Sequence, residues 1–380
     1  MLFRSRILII TRDFYPQAGG VANFIHNLAD QMGKRGHKVC VLAPRMKGWE
    51  KISPQHYRIC WCPAWRRLSS LPFIYHTLRL FAAGRVEKIL SGHFMSTHAL
   101  GELILRWLFG IPYAILTHGN DLNYSIRMEA DEIVARRLLK NASLVLCNSR
   151  FTAEKLREKD YAGDVEILYP GVDTGVFRPG VDTSEIRRKY HLRGQRVIFT
   201  VARLVEKKNI DGVLRALPMI LGKVPNVVYL IAGEGDKKEE LEELVDKLSL
   251  KGRVHFLGRI ENNLLPQYYC ACDLYVMPSK HVMPSQDIET FGISYIEANA
   301  CEKPVIGGRS GGVTEAVVDG ETGLLVDPYN TDEIAGAIVR ILTDRELARR
   351  LGENGRQRTE NELRWEKAGE KLEINLNAAV

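Results

Sequence analysis

The chain has 380 residues, of which 45% are hydrophobic and 26% are charged. This balance is that of a globular protein of two or three domains, and it excludes a mainly disordered chain. No apolar run is long enough to predict a transmembrane helix, and the first residues do not resemble a secretion signal. We therefore expect a protein of the cytoplasm.

The positive charge of the chain, +7 overall, is concentrated in its first half. Residues 1–180 hold 25 Lys and Arg against 15 Asp and Glu. A basic half predicts a partner with negative charge, such as an anionic lipid surface or a phosphorylated substrate, unless the charge only keeps the surface soluble. We expect no nucleic acid as a partner, because no motif for it is present.

The seven cysteines are predicted to be reduced thiols without a function. Two C-x-C pairs occur, Cys60 with Cys62 and Cys270 with Cys272, and neither has further ligands nearby at the spacing of zinc sites. The chain also lacks a D-x-D motif for a divalent ion; Asp287-Ile-Glu289 is only similar to one. We therefore expect no metal ion and no other cofactor.

Apolar runs alternate with amphipathic segments along the whole chain, which predicts α/β layers with parallel sheets. In the first half, a helix is predicted over residues 21–32 and strands at 7–10, 39–42, 113–116, 144–146 and 165–168. In the second half, helices are predicted over 210–221 and 237–248 and strands at 196–202, 227–232, 254–257, 274–277 and 304–306.

A segment rich in proline and glycine, from Tyr169 to Gly180, separates the two halves. We predict one domain over residues 1–178 and a second over 179–361, with a ligand cleft between them. Residues 362–380 are predicted to be helical and to pack back on the first domain.

Three groups of residues are candidates for a site. Gly19 and Gly20 open the first helix, where free amides favour a diphosphate, although a tight turn explains them equally. Arg203 and Lys208 follow the first strand of the second half and could clamp a pyrophosphate, or could be solvated surface cations.

The third group is the segment from Glu289 to Glu297. Glu289 is predicted on a loop and Glu297 about two turns inside a helix that begins near Gly292, where it could accept hydrogen bonds from a ribose. Two carboxylates could also be a glycosidase acid/base pair, which depends on a separation in space that sequence does not give. Either glutamate alone could equally be a surface residue.

These groups occur in the order typical of the family-4 retaining glycosyltransferases, which the chain resembles over essentially its whole length. The resemblance includes Thr117-His118-Gly119-Asn120-Asp121, Ala232–Gly235, His255–Gly258 and Gly311–Glu315. It implies the GT-B fold, two Rossmann-like domains that face a cleft, and a hexosyltransferase with a nucleotide-diphosphate sugar, GDP- or UDP-linked, as donor. The acceptor is expected to be a hydroxyl of a lipid-linked, glycan or small molecule. The stretch around Glu289 is most similar to mannosyltransferases of the phosphatidylinositol-mannoside type, which implies cell-envelope glycan synthesis.

The resemblance also implies a role for each matching residue. His118, Arg203, Lys208 and Glu289 are expected to be catalytic: His118 lies beside the reacting sugar, the two cations neutralise the diphosphate, and Glu289 holds the sugar. The other donor-binding residues are expected to be Gly19, Gly20, Gly258, Arg259, Ile260, Phe291, Gly292, Ile293 and Glu297. Asp121 is expected to bind the acceptor. Thr290 and Ala22 stand at positions where the family often has glycine. These two departures leave the identity of the transferred sugar open.

A site rich in arginine, lysine and helix N-termini favours retention of the anomeric configuration by front-face attack. In this mechanism the departing phosphate oxygen takes the proton of the acceptor hydroxyl, and no metal is needed. The stretch from Trp61 to Leu90 mixes aromatic and basic residues and could lie on an anionic membrane to reach a lipid-linked acceptor, or could pack as an ordinary helix. Two other functions remain: a nucleotide-sugar epimerase of the same fold, and a non-catalytic regulator that binds a nucleotide sugar.

Overall fold

The computed structural model describes residues 4–15, 19–45, 48, 53–63, 70–94, 100–119, 121–122 and 129–378. The chain divides into two compact units. The second is continuous from Val172 to Arg364, and the first combines Met1–Gly171 with Trp365–Val380. The change of unit falls a few residues before the limit predicted at residue 178.

The first unit is built on a seven-stranded parallel sheet with the order β3-β2-β1-β4-β5-β6-β7. Its strands are β1 (Arg6–Ile10), β2 (Lys38–Pro44), β3 (Arg58–Cys62), β4 (Lys88–Ser91), β5 (Tyr113–Thr117), β6 (Leu144–Cys147) and β7 (Val165–Ile167). Its helices in the described ranges are α1 (Gly20–Lys34), α2 (Ser70–Ala82), α3 (Leu100–Phe109), α4 (Glu129–Asn141) and α5 (Arg150–Arg157). Apolar clusters cover both faces of the sheet.

The second unit has a six-stranded parallel sheet with the order β10-β9-β8-β11-β12-β13. Its strands are β8 (Arg196–Val201), β9 (Val227–Ala232), β10 (Val254–Gly258), β11 (Leu274–Met277), β12 (Val305–Gly308) and β13 (Gly323–Val326). Its helices are α6 (Ser184–Lys189), α7 (Ile210–Lys223), α8 (Lys238–Lys247), α9 (Leu265–Ala271), α10 (Ile293–Ala300), α11 (Val313–Ala316), α12 (Thr331–Thr343) and α13 (Arg345–Glu362).

Both sheets have the strand order of a doubly wound Rossmann-type fold. In such a sheet the order reverses once, between β1 and β4 in the first unit and between β8 and β11 in the second. Ligands bind outside the carboxyl ends of the strands at this switch point. The segments that follow β1, β4, β8 and β11 are therefore the places to look for a site.

The last helix, α14 (Trp365–Ala378), packs on α1 in the first unit. The ring of Trp365 lies 5.5 Å from that of Phe24. The carboxylate of Glu373 accepts a hydrogen bond of 2.6 Å from Arg35 Nε and lies 3.0 Å from His37 Nε2. This helix thereby completes the core of the first unit.

None of the described helices combines the length and the apolar character that crossing a membrane requires.

Candidate active site

The segment between β8 and α7 carries the predicted cations of the second unit. Arg203 is exposed and follows β8, and a single 3-10 turn, Glu206–Lys208, precedes α7. The turn ends at Asn209, which adopts a left-handed conformation (φ 53°). The buried Asn209 side chain donates hydrogen bonds to the carbonyls of Pro278 (3.0 Å) and Pro328 (2.6 Å). Asn209 thus fixes the turn against the segment that follows β11, at the switch point.

Lys208 and Glu289 form a buried ion pair. The ammonium of Lys208 donates a hydrogen bond to Glu289 Oε2, and each side chain is 13% exposed. Burial lowers the pKa of Lys208 despite the attraction of Glu289. Burial opposes ionisation of Glu289, but Lys208, Lys207 and Arg203 together hold its pKa below the usual value. Glu289 is therefore a carboxylate at neutral pH.

A second ion pair lies beside the first and was not predicted. Lys207 Nζ is 2.8 Å from Asp287 Oδ1 and 3.4 Å from the carbonyl oxygen of Ile288, and its side chain is 5% exposed. The charges within each of the two ion pairs cancel. Arg203 is the fifth charged residue of this cluster and gives it a net positive charge. The adjacent lysines Lys207-Lys208 and the two acidic residues of Asp287-Ile-Glu289 were the sequence signal that could have indicated the second pair.

Glycines support the Glu289 segment from two sides. Gly312 N donates a hydrogen bond of 2.9 Å to Glu289 O, and a Cβ at Gly312 would clash with the carbonyl of Thr290. Gly292 has a φ of 95°, and a Cβ there would lie 2.5 Å from the Tyr295 ring. Glycine is therefore required at both positions. The neighbouring Thr290, which replaces a frequent family glycine, is 9% exposed.

Helix α10 begins directly after Gly292, so the amide of Ile293 lies in its first turn as expected. Phe291, just before it, is 2% exposed and packs into the core. Glu297 is the fifth residue of the helix, about one turn from its start. The expectation that it lies about two turns inside was wrong: the helix begins where predicted, and the four residue steps from Ile293 to Glu297 make only about one turn of 3.6 residues.

Glu297 has a partner that the sequence did not indicate. The hydroxyl of Tyr269, a fully buried residue of α9, donates a hydrogen bond of 2.8 Å to Glu297 Oε2. Burial raises the pKa of Glu297 to about 7, although this hydrogen bond acts in the opposite direction. Oε1 has no hydrogen-bond partner among the described residues and can accept one from a ligand.

The glycine motifs after β9 and β10 position the Arg203 segment. Gly233 N donates a hydrogen bond of 2.7 Å to Gly258 O, and a Cβ at Gly233 would clash with the carbonyl of Ala202. Gly258 has a φ of 66° and ends β10. The next two residues, the exposed Arg259 and the half-buried Ile260, continue at the same edge of the sheet.

In the first unit, His118 follows β5 and is 7% exposed. Its Nε2 lies 3.0 Å from the carbonyl oxygen of Gly92, which can only accept, so Nε2 carries the proton. Burial lowers the pKa of His118 against the attraction of Asp121, so the ring is neutral at pH 7. Nδ1 has no hydrogen-bond partner in the described part of the chain and is left as an acceptor.

Asp121 is a structural carboxylate in this structure. It is 4% exposed and accepts hydrogen bonds from Thr117 Oγ1 (2.8 Å) and from the backbone amides of Phe94, His118 and Leu122 (each 3.1 Å). These contacts hold the ends of β4 and β5 together. A role in acceptor binding remains a prediction; Asn120 of the same motif lies outside the described residues.

Gly19 and Gly20 are exposed, and α1 begins at Gly20 without a side-chain cap. A Cβ at either glycine would meet nothing within 4 Å among the described residues. The turn itself therefore does not require them. Residues 16–18, including Pro16, lie outside the described part of the chain.

The stretch from Trp61 to Leu90 is not one amphipathic helix. It contains the end of β3, helix α2 and most of β4, while Trp65, Arg66 and Arg67 lie outside the described residues. Phe73 and Leu80 are buried in the core of the first unit. The strongly exposed apolar residues of α2 are Leu71 and Tyr75. Outside this stretch, Trp107, Leu108 and Phe109 are strongly exposed at the end of α3.

The described residues contain no group of three His, Cys, Asp or Glu side chains placed to hold a metal ion. The two carboxylates of Asp287-Ile-Glu289 are instead paired with lysines.

Comparison with known proteins identifies the family. Residues 18–176 match the profile "Glycosyltransferase Family 4" and residues 182–358 match "Glycosyl transferases group 1". The chain belongs to glycosyltransferase family 4. It is 31% identical over 373 residues to a GDP-mannose-dependent alpha-(1-6)-phosphatidylinositol monomannoside mannosyltransferase of Mycolicibacterium smegmatis, covering 96% of this chain and 97% of that protein. A monoacylated-substrate counterpart from Corynebacterium glutamicum is also 31% identical, covering 97% and 96%.

Solved structures agree with the fold of this glycosyltransferase. Sucrose-phosphate synthase from Thermosynechococcus elongatus matches with a TM-score of 0.83 and 26% identity, covering 99% of this chain and 100% of that one. HepE from Anabaena, solved with UDP and glucose, matches with a TM-score of 0.82 and 21% identity, again covering 99% and 100%. The predicted GT-B fold and the prediction of a glycosyl-transferring enzyme are confirmed.

Proposed function

We propose that this glycosyltransferase moves a hexosyl group from a nucleotide-diphosphate sugar to a hydroxyl group of an acceptor. The observation that carries the proposal is the positive excess of the cluster around Lys208. Two lysine–carboxylate pairs cancel there, and Arg203 has no ion-pair partner among the described residues. An exposed guanidinium at the switch point of a parallel sheet fits a diphosphate.

GDP-mannose is the proposed donor. Its support is the similarity, over nearly the whole chain, to relatives whose names specify GDP-mannose and a mannosyl transfer. UDP-linked donors are the alternative that the experiment below includes.

In this proposal, different residues of the second unit bind different parts of the donor. Arg203 and Lys208 neutralise the diphosphate, and Glu289 with the amides after Phe291 holds the sugar. The open Oε1 of Glu297 accepts a hydrogen bond from the ribose. Gly258, Arg259 and Ile260 face the base. The uncapped amides at Gly19 and Gly20 supply further donors for the phosphates.

We further propose retention by front-face attack without a metal. Glu289 is ionised but hydrogen-bonded to Lys208, so it is suited to holding sugar hydroxyls and stabilising positive charge. The oxygen of the departing diphosphate then takes the proton of the acceptor hydroxyl as the new bond forms. The pairing of Asp287 and Glu289 with lysines supports a site in which cationic side chains take the place of a divalent ion.

His118 is assigned to the hydroxyl groups of the transferred sugar. Its neutral ring is fixed by the hydrogen bond to Gly92 O, and its Nδ1 is free to accept from a hydroxyl. The ring also packs edge-on against Phe24 at 5.4 Å, which further restricts its orientation.

The acceptor is proposed to be lipid-linked and reached by peripheral contact with the inner face of a membrane. The contact surface is the apolar tip, which we define as Trp107, Leu108 and Phe109, with exposed fractions of 86%, 60% and 57%. The Phe109 ring lies 4.7 Å from that of Phe81 at the end of α2, close to the exposed Arg79 and Arg85. Exposed aromatic groups beside arginines fit an anionic interface.

Thermal unfolding with UDP, GDP and ADP, each free and as a sugar conjugate, tests the donor site. A ligand at about 100 times its dissociation constant adds about 2.7 kcal/mol of stability. We expect GDP and GDP-mannose to raise the Tm of the wild type and of the surface control Lys247→Ala, but hardly that of Lys208→Ala. A Tm that no nucleotide raises would overturn the donor assignment.

The reaction itself is tested by product analysis with GDP-mannose and lipid acceptors. Mannosyl transfer to phosphatidylinositol monomannoside in vesicles, with an α-linkage in the product, is the expected result. Consumption of the donor to an isomer without any acceptor would instead indicate an epimerase. Nucleotide binding without turnover would indicate a regulator.

A further inference from the structure

His93 lies at the switch point of the first sheet and is held from both sides. The preceding residue, Gly92, donates its amide to Ile10 O of β1 (2.8 Å) and accepts from His118 Nε2 (3.0 Å). The following residue, Phe94, is 2% exposed and donates its amide to Asp121 Oδ2 (3.1 Å). The backbone of His93 is therefore fixed in place by β1, β4 and β5 together.

The side chain of His93, unlike its backbone, makes no hydrogen bond within the described residues. Its Nδ1 is buried and has no hydrogen-bond partner within the described ranges, although Asp13 Oδ2 lies 3.7 Å away. The His93 side chain is 16% exposed. Because Nδ1 is buried, the exposed part of the ring lies on the Nε2 side. A carboxylate beside Nδ1 favours the proton on that nitrogen and leaves the lone pair of Nε2 for a ligand.

Asp13 belongs to the segment that follows β1, next to β4 in the sheet. Its side chain is 38% exposed, and its carbonyl oxygen accepts a hydrogen bond of 3.0 Å from Thr11 Oγ1. The His93 ring lies 6.3 Å from the His118 ring, and the two planes are nearly perpendicular. The Asp13 carboxylate and the imidazoles of His93 and His118 thus present hydrogen-bond acceptors at one edge of the sheet.

We propose that Asp13 and His93 bind the acceptor beside its reacting hydroxyl: Asp13 orients the imidazole, and His93 Nε2 accepts the hydrogen bond of a non-reacting hydroxyl on a six-membered polyol ring. This inference rests on the proposed function. A site made of hydrogen-bond acceptors selects a ligand rich in donors, and Asp13 repels phosphate and carboxylate groups. The ring bound here is therefore an uncharged part of the acceptor, either a cyclitol or a pyranose.

The distance to His118 gives the site its place in the reaction. A hydroxyl on His93 Nε2 lies about 2.8 Å from that atom, and the His118 ring that we assign to the transferred sugar is a neighbour of the His93 ring. Asp13 acts through His93 and is a positioning residue. His93 orients the acceptor ring through the non-reacting hydroxyl, and the proton of the attacking hydroxyl leaves with the diphosphate as proposed above.

Saturation-transfer NMR with GDP present tests the site, using myo-inositol and methyl α-D-mannopyranoside as probes. We expect one of the two to give signal with the wild type, which distinguishes cyclitol from pyranose. His93→Ala and Asp13→Asn should weaken its binding about tenfold or more, because a hydrogen bond to a charged or oriented group is lost. His93→Gln, which keeps an acceptor, should restore part of the binding.

The chain offers a matched control in the same unit. His56 Nδ1 lies 2.8 Å from Asp30 Oδ1 on the surface, and His56→Ala should leave polyol binding unchanged. The Tm shift with GDP reports separately on folding and on the donor site of each variant. No signal from either polyol with the wild type, or wild-type binding of the polyol by both His93→Ala and Asp13→Asn, would overturn the inference without touching the donor assignment.

Discussion

Lys208 and Glu289 are 81 residues apart in the chain, and their side chains share a hydrogen bond with each only 13% exposed. Removing one partner of a buried ion pair lowers the free energy of unfolding by far more than the intact pair contributes to it, because the remaining charge is buried without hydration. The pair is therefore a sensitive point of the second unit for stability as well as for ligand binding.

We expect Lys208→Met to destabilise the protein by about 3 kcal/mol or more, since it leaves the Glu289 carboxylate buried beside an apolar side chain. The double variant Lys208→Met/Glu289→Leu should recover a large part of this loss. Urea unfolding of both single variants and the double variant at neutral pH measures the coupling. Additive losses would show that the two side chains do not depend on each other.

Glu297 should make donor binding depend on pH. Its pKa is about 7, and only the ionised carboxylate is a strong acceptor for ribose hydroxyls. The affinity for GDP-mannose should therefore rise as pH increases through about 7. Calorimetric titration on either side of this pH measures the effect, and GDP-mannose suits it because its diphosphate diester does not titrate there. Glu297→Gln should bind more weakly and with a flat profile; a profile equal to that of the wild type would contradict the assignment.

Glu102 in α3 should lower stability as pH rises. It is completely buried; Ser91 Oγ donates to its Oε1 (3.0 Å), Oε2 has no partner among the described residues, and burial raises its pKa to about 8. Between its model-peptide value of 4.5 and about 8, the unfolded state has released a proton that the folded state keeps. Stability therefore falls over this range by up to about 1.4 kcal/mol per pH unit.

Glu102→Gln remains neutral at every pH, so it should remove this decline and unfold at higher urea concentration than the wild type at pH 7. Urea unfolding at about pH 5 and about pH 8 gives the comparison. The exposed Glu154→Gln on α5 is the control and should follow the wild type. An unchanged pH slope in Glu102→Gln would show that Glu102 is not the cause.

Trp107→Ser and Phe109→Ser should weaken binding to vesicles that contain phosphatidylglycerol. Each substitution removes an exposed aromatic group from the apolar tip, and burying such a group in an interface contributes about 1.5–3 kcal/mol, or tenfold and more in affinity. Co-sedimentation at low salt measures the binding. Ile374→Ser on α14, where Ile374 is 60% exposed in the same unit, is the matched control. Equal loss in the control, or none in the tip variants, would contradict the proposed surface.

The regular elements followed from the sequence wherever the periodicity was strong. Val227–Ala232 and Leu274–Met277 are buried strands with the predicted bounds. The prediction missed β3, β4 and β13, which are short, and β3 and β13 lie at the edges of their sheets. β3 is at most half-buried over most of its length, and β4 and β13 have only four residues each, so none of the three shows a period long enough to be distinguished from a loop.

The sequence by itself determined the α/β class and the family and supplied the residues proposed for the donor site, because these depend on local periodicity and on motifs of fixed spacing. It did not indicate Lys207, Asn209, Tyr269 or His93. Each of these matters through a partner elsewhere in the chain: Lys207 through Asp287, Asn209 through Pro278 and Pro328, Tyr269 through Glu297 and His93 through Asp13. Only the folded chain decides which charges are paired and which side chains are buried. Those two quantities set the ionisation states of Glu289 and Glu297, and they leave Arg203 without an ion-pair partner in the described part of the chain.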